Sequence, residues 1–331
     1  MLQLDNRTPF AANMTLFPDQ QGVETLYLVV KARFKIGEQW VLADKQLPPT
    51  AEDEYWGEPE KSSLKQASDY HIGKPATDIL MTGNACSLNS EPVKQLDVSL
   101  SVGQVNKTIR VFGDRQWQDG RITPPIPFQT MPMIYERAYG GVHVIDGQVD
   151  SLEEKNPVGC GYAGKRSAAE MDGMALPNLE DLGSLIQQYT DKPEPGCFAM
   201  SSASWQPRLA YVGTYDDAWQ EQRAPYLPDD FDLRFFNMAH KNLIYPGYLR
   251  GGEAVHIAGM HPAGNLSFNL PRINLVSCVS MQNKDEKSPL FNLETLMIEP
   301  NELKLSMVWR ASMVCDKSTL KINNVNVSLS R

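Results

Sequence analysis

The 331-residue chain lacks the features that mark a membrane or secreted protein. No apolar run approaches about 18 residues, the length that a membrane-spanning helix requires. The first residues, MLQLDNRTPFAANMTLF, contain one positive charge, Arg7, and no uninterrupted apolar core, so they do not match a signal peptide. The sequence therefore predicts a cytoplasmic protein that does not insert into a membrane.

Clusters of basic residues are also missing. The chain has 31 Lys and Arg against 40 Asp and Glu, which gives a formal net charge of −9. Proteins that bind nucleic acid neutralise phosphates with grouped Lys and Arg side chains. The charge balance therefore argues against nucleic acid as a partner.

Signatures of metal sites and of nucleophilic catalysis are absent as well. The five cysteines are few and widely spaced, without a CxxC pair, and the five histidines form neither HExxH nor HxH. There is no GxSxG motif, and Cys160 has no helix start after it to activate a thiolate. We therefore expect reduced thiols, no metal, no cofactor and no catalytic residues.

The stretch that most suggests an enzyme is the aspartate-rich tract at residues 216–232. Paired carboxylates perform acid–base chemistry in glycosidases. Aspartates in turns, however, more often accept hydrogen bonds from nearby backbone. The structural interpretation is favoured, and a hydrolase acting on cell-wall or carbohydrate material is the alternative. The aspartates are Asp216, Asp217, Asp229, Asp230 and Asp232.

Short segments with alternating apolar residues, bounded by Gly, Asn or Pro, occupy both ends of the chain. This pattern predicts β-strands with the spacing of a sandwich. The predicted strands are 25–36, 78–85, 96–102, 107–112, 253–259, 264–270, 272–280, 294–298, 302–314 and 319–329. The best helical pattern is 179–189, where leucines recur on one face and Asn178 is a suitable N-cap.

These patterns predict a mainly β protein built from two interlocked β-sandwich-like units with a loop-rich centre and one or two short helices. We divide the chain into an N-terminal β unit (1–127), a central region with Gly and aromatic motifs and a helix (128–250), and a C-terminal β unit (251–331). The first and last units are alternatively one continuous domain.

The centre of the chain depends on two Gly-rich segments, FQTMPMIYERAYGGV (128–142) and NPVGCGYAGKR (156–166). Their glycines, prolines and aromatics fit neither helix nor strand and predict an irregular loop with a tightly specified backbone. Apolar residues flank Glu136 and Arg137, so both are expected to be partly buried. On that basis Arg137→Ala should cost about 2–4 kcal/mol.

Aromatic residues are densest at residues 205–236. Stable protein interfaces depend on a few aromatic and Arg anchors. Tyr215, Trp219 and Tyr226 lie beside polar residues, which favours a position at the surface. They are the candidate partner-binding residues.

Several segments together carry a family resemblance. They are TLYLVVKARFKI, SDYHIGKPATDILMTGNA, VFGDRQW, FQTMPMIYERAYGG, NPVGCGY, LPNLE, WQPRLAYVGTYDDAWQEQRAPYLPDDFD and GYLRGGE. The set resembles a bacterial domain-of-unknown-function family encoded beside VgrG and PAAR spike proteins. Members are similar to adaptor-chaperones of type VI secretion.

The resemblance implies a non-catalytic, cytoplasmic protein that binds a toxic protein effector and helps to load it onto the VgrG/PAAR spike. A structural component of the spike is a further interpretation beside the hydrolase. Positions carried over from the family are either structural or partner-binding. They are Tyr135, Glu136, Arg137, Tyr139, Gly140, Gly141, Asn156, Pro157 and Gly159.

Overall fold

The computed structural model describes residues 3–282 and 285–330, and in them the alternating segments form strands. In chain order the strands are β1 (Leu4–Asn6), β2 (Ala11–Pro18), β3 (Glu24–Lys35), β4 (Val41–Leu42), β5 (Glu54–Tyr55), β6 (Leu64–Gln66), β7 (Asp78–Met81), β8 (Asn84–Cys86), β9 (Gln95–Val102), β10 (Val105–Phe112), β11 (Trp117–Gln118), β12 (Arg121–Ile122), β13 (Thr130–Pro132), β14 (Tyr139–Gly140), β15 (Val142–Ile145), β16 (Gln148–Leu152), β17 (Cys160–Gly161), β18 (Leu179–Asp181), β19 (Ala254–Ala258), β20 (Leu266–Asn269), β21 (Leu275–Met281), β22 (Glu286–Lys287), β23 (Asn292–Glu299), β24 (Lys304–Val314) and β25 (Ile322–Leu329).

Helical structure in these residues is short. There is one α-helix, α1 (Asp217–Gln222), and the 3-10 helices are Leu88–Ser90, Tyr135–Arg137, Arg208–Tyr211, Leu233–Phe236, Lys241–Leu243, Pro300–Glu302 and Thr319–Lys321. The prediction of a mainly β protein with one or two short helices is confirmed.

The largest sheet has six strands. Its order is β2-β3-β24-β23-β7, and β4 pairs with the C-terminal end of β3. β3 and β24 pair antiparallel along their whole length, from Lys35 opposite Lys304 to Thr25 opposite Val314. These two strands are buried on both faces over most of their length, which explains why their sequences are so rich in apolar residues.

A second sheet has the order β18-β10-β9-β19-β20, and a third has the order β1-β25-β21-β22. One contiguous apolar core contains residues of all three sheets, for example Leu28 and Met307 of the first, Leu100 and Ile109 of the second and Val325 of the third. Within the sheets, strands from residues 3–127 pair directly with strands from residues 251–330.

The helix predicted at residues 179–189 is wrong. Leu179–Asp181 is instead the edge strand β18, paired with β10. The Glu180 carboxylate is buried, accepts a hydrogen bond from Arg115 and accepts another from Ile186 N at 2.7 Å. Asn178 caps no helix, because its amide donates to Phe112 O at 3.1 Å. Pairing with the edge of β10 and the ion pair with Arg115 stabilise the strand. A short helix in this segment would not be stable by itself.

A two-stranded hairpin, β15–β16, connects the two Gly-rich segments, and the strands predicted from the sequence do not include it. Its turn is Asp146-Gly147, with φ of +51° and +79°. Positive φ at both central residues is the type I′ turn, and an Asp-Gly pair is a strong hairpin signal. That dipeptide, between VHVI and QVDSL, was the signal that could have predicted the hairpin.

A buried ion pair lies at β7, the edge strand of the six-stranded sheet. Lys74 Nζ lies 2.7 Å from Asp78 Oδ2, and both side chains have no exposed surface. Asp78 also accepts hydrogen bonds from the backbone N–H groups of Met238 at 3.0 Å and Ala239 at 3.3 Å. One carboxylate therefore fastens the loop-rich centre of the chain to the sheet.

Replacement of Asp78 should be strongly destabilising. In Asp78→Ala the Lys74 ammonium and the two amides lose their partner while remaining buried, so we expect a loss of about 3–5 kcal/mol in the free energy of unfolding. Urea denaturation measures it. The control is Asp97→Ala, which breaks an exposed pair with Arg110 and should cost at most about 1 kcal/mol. Equal costs for the two variants would contradict the tethering role of Asp78.

Candidate functional site

The two Gly-rich segments fold against each other into one closely packed unit, here called the glycine clasp (residues 135–141 and 156–161). β14 and β17 pair in parallel, with Tyr139 opposite Cys160 and Gly140 opposite Gly161. Cys160 N donates to Ala138 O at 3.0 Å. The clasp joins segments that are separated by the β15–β16 hairpin.

Asn156 is the centre of the clasp. Its side-chain amide is completely buried and donates to Tyr135 O at 2.8 Å and to Tyr139 O at 3.0 Å. Its own carbonyl oxygen accepts from Gly141 N at 2.8 Å and Gly159 N at 3.3 Å. One residue thus satisfies backbone groups on both segments, a role that needs the short amide of Asn.

Gly140 and Gly159 allow the two backbones to approach closely. A Cβ atom on Gly140 would lie 2.1 Å from Asn156 O, and one on Gly159 would lie 2.6 Å from Ala138 O. Both distances are far shorter than any van der Waals contact. Gly140 also has φ of +154°, and Gly141 has +115°, which side chains disfavour. Pro157 begins the turn that leads to Gly159.

Two tyrosines connect the clasp to the protein interior. Tyr135 packs edge-on against Trp205 at 5.3 Å between ring centroids and belongs to the main core. Tyr139 belongs to a smaller apolar cluster with Trp117 and Met171. Burial raises the pKa of both phenols, so neither ring is an acid–base group at neutral pH.

Glu136 and Arg137 differ from each other more than the sequence suggested. The Glu136 carboxylate accepts from Ser63 N and Ser63 Oγ, each at 2.7 Å, and Ser63 is completely buried. The Arg137 side chain is 41% exposed and donates to Asn178 Oδ1 at 3.0 Å. The expectation that both residues are partly buried is confirmed. Because Arg137 keeps this much exposure while Glu136 binds a buried serine, we now expect truncation of Glu136 to cost more than truncation of Arg137.

A cavity of about 640 Å³ beside the clasp is lined by Glu136, Arg137 and Cys160 among others. Burial raises the pKa of the Cys160 thiol to about 11. A thiol that stays protonated at neutral pH is a poor nucleophile. The cavity therefore lacks an activated cysteine.

The three predicted partner-binding residues lie together at the surface and form the aromatic cluster (Tyr215, Trp219 and Tyr226). The rings of Tyr215 and Trp219 meet edge to face at 4.6 Å between centroids, and Trp219 Nε1 donates to Tyr226 O at 2.8 Å. Tyr215 is 50% exposed and Tyr226 is 41% exposed. Arg223 anchors the loop by donating to Gln20 O and Leu227 O.

The aspartates around this cluster are engaged in local bonds. Asp216 caps α1 by accepting from Trp219 N at 2.8 Å. Asp230 accepts from Thr214 N at 2.9 Å, a bond that lowers its pKa, and the hydrogen bond from Arg234 lowers the pKa of Asp232. A general acid needs a raised pKa. Asp230 and Asp232 are therefore poor general acids, and their hydrogen bonds shape the loop.

A second cavity, of about 520 Å³, is lined by Tyr135 and His240 among others. Burial lowers the pKa of His240 to about 4. Nearby, Glu194 is bound by Lys155 at 2.6 Å and Lys241 at 3.2 Å. His240 is a weak, neutral base, and the acid beside it is held in ion pairs.

Two features are absent from the part of the chain that the structure describes. Residues 3–282 and 285–330 contain no group of three or more His, Cys, Asp or Glu side chains arranged to hold a metal ion. None of the helices found there is both long enough and apolar enough to cross a membrane.

The close approach at Gly140 can be tested by adding one carbon. In Gly140→Ala the new Cβ collides with Asn156 O, a backbone atom that cannot move without opening the clasp, so we expect a loss of more than about 3 kcal/mol. The control is Gly120→Ala. Gly120 has φ of +71° but no atom within 4 Å of a Cβ, and its variant should lose only about 1 kcal/mol. Thermal denaturation of both variants distinguishes collision from backbone strain.

Glu136 and Arg137 provide a second test. Glu136→Ala leaves the buried Ser63 N–H without an acceptor and should cost about 2–3 kcal/mol. Arg137→Ala removes a half-exposed side chain and should cost at most about 1 kcal/mol. Glu136→Gln keeps one acceptor oxygen and should lie between wild type and Glu136→Ala. A larger loss for Arg137→Ala than for Glu136→Ala in chemical denaturation would overturn this assignment.

No curated protein and no solved structure matches the chain significantly. One family model does match, over residues 21–310, and its description is "uncharacterized protein conserved in bacteria (DUF2169)". The match includes the glycine clasp, the β15–β16 hairpin, the aromatic cluster and most strands of the three sheets. The chain therefore belongs to the DUF2169 family of bacterial proteins.

Proposed function

We propose that this protein is a non-catalytic adaptor-chaperone that binds a type VI secretion effector and assists its loading onto the VgrG/PAAR spike. The observation that carries the proposal is the aromatic cluster. The rings of Tyr215 and Trp219 are in contact, Trp219 Nε1 donates to the backbone carbonyl of Tyr226, and the side chains of both tyrosines are exposed.

The cluster has the properties of an interface anchor. Tyrosine and tryptophan offer large contact areas at a low cost in conformational entropy, and they dominate binding energies in protein complexes. Within the described residues, the hydroxyls of Tyr215 and Tyr226 make no hydrogen bond, so both are available to a partner. The ring contact with Trp219 holds Tyr215 in place before binding.

The chemistry of the remaining polar groups supports a binding role over catalysis. The carboxylates of Asp230 and Asp232 have lowered pKa values, and the thiol of Cys160 has a raised pKa. A hydrolase using the tract 216–232 needs a protonated acid near an ionised partner. The carboxylates of Asp230 and Asp232 instead accept hydrogen bonds from the backbone amides of Thr214 and Arg234.

Charge supports a protein client. A net charge of −9 on 331 residues attracts a basic client and accelerates its association. The link to the secretion spike rests on the resemblance of segments such as MPMIYERAYGG and NPVGCGY to a family encoded beside VgrG and PAAR genes. The cytoplasm is the compartment in which an adaptor meets its client before export.

The proposal predicts that the aromatic cluster retains the client. The effector encoded beside the VgrG and PAAR genes of the same bacterium is co-expressed with the tagged protein, and the amount retained on affinity purification is measured. Tyr215→Ala/Tyr226→Ala should retain at least tenfold less effector than wild type and should lower effector secretion. Both substitutions leave the bond from Trp219 Nε1 to the Tyr226 carbonyl possible.

Trp56→Ala is the matched control, because Trp56 is 51% exposed and lies on a different loop. It should retain the effector at the wild-type level. If the wild-type protein retains no effector, the adaptor function is wrong. Release of the protein with the effector in equal amounts would favour a spike component, and hydrolysis of cell-wall glycan that Asp230→Asn abolishes would favour the hydrolase.

A further inference from the structure

The apolar hairpin (β15–β16, residues 142–152) is a second unusual surface. In the described residues its two strands pair with each other and with no further strand. An isolated two-stranded hairpin is marginally stable unless its face packs against something. The apolar hairpin nevertheless presents large apolar side chains to solvent.

Four of these side chains share one face. Val142 lies opposite Leu152, and Val144 lies opposite Val149, and directly opposite residues project to the same side. Their exposed fractions lie between 38% and 57%. Asp150 is the extra residue of the bulge between the two pairs. The result is a continuous apolar strip along the hairpin.

The free edge of β15 is suited to another strand. The pair Ile145–Gln148 closes the two-residue turn and is hydrogen-bonded, so the next pair, Val144–Val149, is not. The N–H and C=O of Val144 therefore point away from β16. At the foot of the hairpin, where β15 begins, Arg166 Nη2 donates to the outward carbonyl of Val142 at 3.4 Å. The open edge of β15 begins after this residue.

The glycine clasp holds both feet of the hairpin. Gly141 N donates to Asn156 O at 2.8 Å, and Glu153 N donates to Gly141 O at 3.0 Å. On the face opposite the apolar strip, His143 is buried and its Nδ1 lies 3.3 Å from Asp150 Oδ2. A rigidly mounted surface loses little conformational entropy when a partner binds.

The charges at the hairpin ends select the partner. Asp150 is neutralised by Lys165 at 2.8 Å. Asp146 at the tip and Glu154 at the foot are exposed, and among the described residues neither has a Lys, Arg or His nitrogen within 4.0 Å. The strip is thus apolar in the middle and negative at the tip, whereas at the foot Glu154 and the guanidinium of Arg166, which reaches the Val142 carbonyl, carry opposite charges.

We propose that the apolar hairpin is a docking element for an edge strand of the effector, with apolar residues at alternating positions and a Lys or Arg at the end that meets Asp146. The strand adds to the open edge of β15, and its side chains cover the apolar strip. The identity of the partner rests on the proposed function, whereas the chemistry of the strand rests on the hairpin itself.

A second copy of this chain fits the surface less well. Two-fold pairing of two hairpins along β15 buries only the four apolar side chains of each copy. They fall well short of the roughly 800 Å² that each partner buries in a stable interface. The strip is therefore the centre of a larger contact with a larger partner.

The first experiment removes the apolar strip without disturbing the strands. Val144→Thr/Val149→Thr keeps β-branched side chains of similar shape, so the hairpin should persist. In the co-expression assay this variant should retain at least tenfold less effector than wild type. The matched control is Val276→Thr/Val314→Thr, which changes two valines that are 42% and 52% exposed on other strands, and it should retain the effector fully.

A second experiment uses a defined probe. A fluorescent peptide of alternating threonine and valine, with a lysine at one end, should bind the full chain in an anisotropy titration, and Val144→Thr/Val149→Thr should weaken it at least tenfold. Asp146→Asn should weaken it severalfold, and salt should do the same. The same peptide with glutamate in place of the lysine should bind wild type severalfold more weakly.

The outcomes separate the two proposals. If wild type retains the effector and Val144→Thr/Val149→Thr retains it equally, the adaptor function stands and the hairpin inference falls. If wild type retains no effector but binds the lysine peptide through the hairpin, the adaptor function falls and the strand chemistry stands. A wild-type dimer in light scattering that Val144→Thr/Val149→Thr converts to a monomer would overturn the inference in favour of a second copy.

Discussion

At the centre of the molecule, the carbonyl oxygen of Asn156 would lie only 2.1 Å from a Cβ atom on Gly140. Two chain segments approach this closely because glycine has no side chain and because the Asn156 amide bonds the carbonyls of both Tyr135 and Tyr139. Tyr135 extends from this point into the main core and Tyr139 into the smaller one. The constraint therefore joins the sheets to the loop-rich centre.

The apolar hairpin follows from the same constraint, since its two strands leave and re-enter the glycine clasp. A hairpin of this kind is stable only when its base is held. The aromatic cluster is held differently, by the hydrogen bonds of Arg223 and by the cap of Asp216. The protein thus presents two apolar surfaces on firmly mounted supports, and an adaptor that connects a client to a spike needs more than one contact surface.

The ionisable groups of the interior serve the fold. Asp78 binds Lys74 and two backbone amides, and Glu180 binds Arg115 and Ile186 N. Burial raises the pKa of Glu180, as expected for a carboxylate removed from water. In each case the charge fastens a loop to a sheet. The carboxylates of Asp78 and Glu180 therefore support the structure of the protein.

The sequence alone determined the main strands. The alternation of apolar residues along β9 and β10 reflects burial of one face, and the long apolar runs of β3 and β24 reflect burial of both faces. The sequence also located the aromatic cluster and the irregular centre, where adjacent glycines exclude regular structure. It did not determine the partners of single polar residues. The pattern around Glu180 predicted a helix, whereas Glu180 lies in a strand and binds the buried Arg115. The apolar residues around Glu136 and Arg137 predicted partial burial of both, but not that Glu136 binds Ser63 and Arg137 binds Asn178. Such outcomes depend on groups brought together by the fold from distant positions, and local periodicity carries no record of those contacts.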